Sequence, residues 1–163
     1  MMSNKKKFNW RVGCNVMLVG FLVGGFLFYQ WAKTLGKYTL QPGQSVKFRV
    51  NPKTEQVEFY SELILKKKDR NKLKLTGASV WSEESGDILY GVKENKIIRI
   101  GSSSNSEKVL PNNQKNIHLV KDGIVVNYQG EKVFDVTNNK PYTITITNVD
   151  SKPARFEAQV VDR

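Results

Sequence analysis

From Val12 to Ala32 the chain runs for 21 residues without a charged side chain, bracketed by Arg11 and Lys33. At about 1.5 Å of rise per residue a helix of that length reaches roughly 31 Å, close to the ~30 Å hydrocarbon core of a bilayer. A helix buried in a soluble core seldom runs so far without one charge. Trp10 stands at one end, with Tyr29 and Trp31 at the other. Those are the positions aromatic side chains favour at a membrane–water boundary. The spacing predicts a transmembrane helix over 12–32. A cleaved signal peptide wants small residues before its cut, and Gln30-Trp31-Ala32 offers a bulky polar residue there. Cys14 precedes the apolar run instead of following it, so a lipoprotein box is not met. The anchor is therefore expected to be retained.

Charge sets the expected orientation. The chain carries 26 Lys and Arg against 15 Asp and Glu, a net +11. Residues 1–37 hold six of the basic residues and no acid, which leaves 20 against 15, or +5, for the rest. Lys5, Lys6, Lys7 and Arg11 precede the span, while only Lys33 and Lys37 follow it closely. Basic residues stay on the side of insertion. The N-terminus is thus expected on the matrix or cytoplasmic side. The chain divides into a basic tail (1–11), the helix (12–32), a short connector (33–40) and one domain (41–163).

Past the connector, hydrophobic residues recur with period two. Residues 46–50 alternate after a Pro42-Gly43 turn, and Tyr142-Thr143-Ile144-Thr145-Ile146-Thr147 alternates strictly. Val57, Phe59 and Leu63 mark a further strand, and Leu73, Leu75 and Val80 another. Residues 87–100 read as a strand pair turning near Lys93-Glu94-Asn95. Lys121-Asp122-Gly123 between apolar runs is a hairpin turn. Asp150-Ser151-Lys152-Pro153 separates the last two strands. Eight to ten short strands with polar turns predict a mainly β fold, a single antiparallel β-sandwich of immunoglobulin-like or jelly-roll-like topology. Ser102–Ser106 with 107–116 reads as one long polar loop.

Residues that carry chemistry are sparse. Cys14 is the sole cysteine and His118 the sole histidine. That excludes a disulfide framework and leaves too few ligands for zinc, copper, iron–sulfur or haem. No phosphate-cradling glycine loop occurs. Glu83-Glu84 and Asp87 read as a solvated acidic turn. No catalytic residue, cofactor or metal is expected, and the chain is read as a non-enzyme.

Two features point to partners. Gly20, Gly24 and Gly25 leave one helix face bare, as close helix packing in lipid requires. Lys66, Lys67, Lys68, Arg70, Lys72 and Lys74 form the densest basic run. It suits anionic lipid headgroups or an acidic protein neighbour; no aromatic residues interleave as nucleic-acid binding would want. Fourteen asparagines without one Asn-x-Ser/Thr sequon count against a secretory-pathway ectodomain. The acid-poor N-terminus and the excess of Lys and Asn, typical of AT-rich coding, fit a mitochondrial inner-membrane protein. The expectation is a non-catalytic single-pass accessory subunit of a large membrane complex of respiratory-chain type. The alternative is an inner-membrane-anchored periplasmic component of bacterial secretion or envelope assembly.

Overall fold

The structure is a computed structural model. It describes residues 10–51, 60–83, 86–101, 107–112, 116–137 and 141–162; the side chains of 10–16, 60 and 137 lie outside the description. The chain divides into two compact units, Met1–Leu35 and Gly36–Arg163.

The first unit contains α1 (Trp10–Ala32). Its end tightens: Thr34 donates its amide (2.9 Å) and its hydroxyl (2.7 Å) to the Trp31 carbonyl. The Lys33 ammonium lies 4.2 Å from the centre of the Tyr29 ring. Among the described residues, no helix is long and apolar enough to cross a membrane. The expected span draws on residues 12–16, whose side chains lie outside the described set.

The second unit is built from two antiparallel sheets, a β-sandwich. Its strands in chain order are β1 (Lys37–Leu40), β2 (Ser45–Val50), β3 (Tyr60–Lys67), β4 (Leu73–Thr76), β5 (Val80–Glu83), β6 (Ile88–Gly91), β7 (Lys96–Ile100), β8 (Glu107–Leu110), β9 (Ile117–Val120), β10 (Gly123–Val126), β11 (Gly130–Thr137), β12 (Tyr142–Asn148) and β13 (Ala154–Asp162). One sheet runs β1-β13-β3-β11-β5-β6-β7-β8, the other β2-β12-β4-β10-β9. The expected connector, 33–40, gives its second half to β1, which pairs with β13 from Lys37 opposite Glu157 to Leu40 opposite Ala154. The polar stretch expected as one loop contains β8, paired with β7. Val57 and Phe59, expected on a strand, lie outside the described residues.

The pairing is nested. β1 pairs with β13, β2 with β12, β3 with β11 and β4 with β10. Successive pairs alternate between the sheets, so the chain behaves as one long antiparallel ribbon rolled over on itself. Strands β5–β9 are added between β4 and β10. Of these, β5–β8 extend the larger sheet beyond β11 as a meander, and β9 extends the smaller one beyond β10.

Alternation explains which side chains fill the space between the sheets. Ile144, Ile146 and Asn148 of β12 point inward while the intervening threonines face out. Leu63 and Leu65 of β3, Leu73 and Leu75 of β4, and Phe134 and Val136 of β11 do the same. Trp81 packs edge-on against Phe134 at 6.2 Å. Each large apolar side chain fully buried contributes about 1.5–3 kcal/mol of hydrophobic stabilisation. The smaller sheet closes tightly at two glycines. A Cβ on Gly77 would sit 2.0 Å from the Thr143 carbonyl oxygen, and one on Gly123 would sit 2.0 Å from that of Leu75.

Candidate functional site

Four loops meet at one end of the sandwich: 41–44, 68–72, 127–129 and 149–153. Nested pairing brings them there, because each follows a strand running the same way. Asn148 holds two of these segments together, 149–153 and, through Leu40, the start of 41–44. Its fully buried side chain donates to the Leu40 and Lys152 carbonyls, both at 2.8 Å, and accepts from the Asp150 amide at 2.9 Å. Asn71 reaches the Pro153 carbonyl at 2.8 Å, and Gln129 the Lys68 carbonyl at 3.1 Å.

The basic run does not form one face. Lys67 follows Leu63 and Leu65 on the core side of β3, and its side chain is wholly buried. Its ammonium donates to the Asn71 carbonyl and lies 3.9 Å from Asp69. Burial pushes its pKa down to about 8, partly offset by the charges of Asp69 and Asp150. It therefore drops out as a contact residue for lipid or an acidic partner. Lys66 pairs with Glu131 at 3.6 Å, Lys68 with Glu157 at 3.3 Å and Lys74 with Asp122 at 2.7 Å. Sheet register sets up the first of these, since Lys66 lies directly opposite Glu131 on β11. The bond from Lys74 holds the Asp122 carboxyl below the usual carboxylate range.

Arg70 and Lys72 remain exposed, with no acidic partner among the described residues. The fold sets Lys152 and Arg155 beside them, two exposed cations that sequence reading passed over. The Lys72 amide donates to Asp150 at 2.9 Å, and the Arg155 amide donates to Asp69 at 2.9 Å. These bonds tie the β3–β4 and β12–β13 connections side by side. They also occupy the acids. Asp69 takes the amides of Asn71 and Arg155, and Asp150 those of Lys72 and Ser151. The Lys72 amide is the main reason the Asp150 carboxyl sits below its usual range.

On α1, an added Cβ at Gly20, Gly24 or Gly25 would meet nothing within 4 Å. The glycines stand open among exposed apolar neighbours.

In the acidic turn expected to be solvated, Asp87 is exposed but Glu83 is half-buried. Glu83 accepts from Tyr90 Oη at 2.7 Å and from Lys132 Nζ at 2.5 Å. Burial, then the bond to Glu83, pushes the Tyr90 phenol far above its usual range. Glu84 lies outside the described residues. The three groups use one another, which makes this a structural ion pair. His118 sits half-buried on β9, opposite Val125. Among the described residues, no three His, Cys, Asp or Glu side chains gather as a metal site would need.

No family model, curated protein or solved structure matches this chain.

Proposed function

We propose that the chain is a membrane-anchored, non-catalytic subunit: a helix held in apolar surroundings and a β-domain that contacts neighbouring proteins. One observation carries this reading. The large hydrophobic residues of α1 from Met17 to Trp31 are all more than half exposed, from Val23 at 54% to Phe21 at 79%. They lie all around the helix, and a helix apolar on every side needs lipid or other helices as its surroundings. An in-plane amphipathic helix would need a polar face, which this one lacks. Joined to the uncharged residues that precede it, the stretch 12–32 has the length of a single span.

The nested strand order supports a jelly-roll-like topology over an immunoglobulin-like one. Jelly rolls roll one antiparallel ribbon into two sheets, a topology that capsid and lectin domains share with cupins. The proposed location is the mitochondrial inner membrane, with the N-terminus in the matrix. The basic, acid-free N-terminus and the absence of sequons support it. The partners proposed are other subunits of a large assembly of respiratory-chain type.

Extraction and sizing test the reading. The protein is expected to stay with membranes through alkaline carbonate and to migrate in a large complex in mild detergent. Release by carbonate overturns the anchor. Retention with migration as a monomer overturns the subunit role.

A further inference from the structure

We propose that the sandwich carries a second membrane contact, apart from the helix: the tip made by the β3–β4 and β12–β13 connections binds the surface of an anionic bilayer. Arg70, Lys72, Lys152 and Arg155 are the residues that do so.

Asp69 and Asp150 lie in the same two connections as Arg70, Lys72 and Lys152, with Arg155 at the start of β13, and offset half the charge of the four cations. Both carboxylates are turned onto backbone amides, two for each. A carboxylate so occupied is held in place and fixes the loops while staying ionised, so the tip carries four cations against two acids and keeps a net positive charge. The cations are left exposed, with no acid paired to them among the described residues. Lys66, Lys68 and Lys74, close by in sequence, are each paired with an acid and contribute far less.

An apolar residue completes the tip. Val149 is 44% exposed, and its amide donates to the Lys72 carbonyl at 3.1 Å. An exposed hydrophobic side chain in the same connection as Lys152 and bonded through its backbone to Lys72 matches a lipid surface, where headgroup charge lies over an apolar layer. An acidic protein would match the charges but give no reason for the valine. Nucleic acid would call for stacking aromatics, and the two connections hold none.

Each basic residue near an anionic leaflet strengthens binding by roughly fivefold. Asn71, bonded to the Pro153 carbonyl, ties the two connections together before binding, and Asn148 fixes the second of them, so little ordering is required.

The test uses the full chain held in neutral phosphatidylcholine nanodiscs, so that the helix is already occupied. Sucrose-loaded vesicles are added and sedimented. The nanodiscs are expected to sediment with vesicles rich in phosphatidylglycerol and to stay behind with pure phosphatidylcholine. About 1 M salt, which shortens the screening length to about 3 Å, is expected to release them. An R70E/K152E pair is expected to lose more than tenfold in binding, with its circular dichroism and melting unchanged. A K93E/K96E pair at the β6–β7 hairpin, on the turn and at the start of β7, is expected to bind as the natural chain does. Equal sedimentation with neutral vesicles, or undiminished binding by R70E/K152E, overturns the proposal. So does an oligoglutamate peptide that binds the tip while anionic vesicles do not. A chain that fails to enter nanodiscs overturns the anchor instead; it is then assayed with vesicles directly, where the charge-reversed pair still decides.

Discussion

Lys67 places a cationic head on the core side of a sheet, where burial disfavours the charged form more than Asp69 and Asp150 favour it. The consequence is a pH dependence with a definite sign. Between about 8 and the ordinary lysine value of 10.5, the unfolded chain holds this proton and the folded chain has released it. Stability owed to Lys67 therefore rises with pH across that window. Tyr90, Tyr128 and Tyr142 act the other way. Burial raises all three phenols above the ordinary value of 10.0, so at higher pH the unfolded chain ionises first and stability falls. Denaturant unfolding is expected to show a maximum near pH ~10. Lys67→Met should flatten the rise between about 8 and 10 and change stability at neutral pH by no more than about 1–2 kcal/mol, since an apolar residue of similar length fits a buried site well. An unaltered rise in that variant would assign it to other groups. Such a role was not legible in the sequence. Six basic residues within nine positions look like a surface, and only the register of β3, with Leu63 and Leu65 ahead of it, turns Lys67 inward.

The sheet edges show how single elements are protected. On β9 the outer backbone groups of Leu119 are taken by Asn112, whose side chain donates to the carbonyl at 3.0 Å and accepts from the amide at 2.6 Å. A side-chain amide thus stands where another strand would pair. Asn112→Ala is expected to cost about 1–2 kcal/mol and to open that edge. A lower melting temperature with self-association in sedimentation velocity would show it, and an unchanged melt would argue against it. At β2 the edge carries the exposed Lys47 and Arg49, and charge serves the same purpose. Most elements could be read ahead of the structure. The threonine alternation of β12, the Asp122-Gly123 hairpin and the turn at 93–95 all fall where period and turn chemistry put them. β1 and β8 escaped because each is only four residues long, with two apolar residues apiece, and sits in a polar stretch. Their strand character comes from the partner that pairs with them, and a local pattern does not contain the partner.

For the molecule as a whole, the two units make different demands on their surroundings. The β-domain buries its own core, from Trp81 through Phe156, and requires nothing further for that. The helix has no such internal solution. Its open glycines give the sharpest test of whether lipid alone surrounds it. Gly20→Leu with Gly24→Leu fills the bare face while keeping the length and apolar character of the stretch. Membrane retention is expected to survive, and recovery in a large complex under mild detergent is expected to fall at least severalfold. Full recovery would leave lipid as the only neighbour of that face. The division into helix and sandwich was readable because both rest on hydrophobic period, which is local. The order of strands was not, because it depends on pairings across most of the chain.

Those pairings bear on how the protein is made. β13, last in the chain, lies between β1 and β3 and is hydrogen-bonded to both. Until it has been synthesised, the larger sheet has a gap in its interior, and β1 lacks the strand to which, among the described residues, it is hydrogen-bonded. Early strands must therefore wait, with their apolar faces uncovered, while the rest of the chain is delivered. Contacts so far apart in sequence close slowly, and waiting strands are open to aggregation. On the proposal that α1 is an anchor, insertion of that helix would precede closure of the sheet, and the domain would complete its folding tethered to a membrane, apart from other unfinished copies.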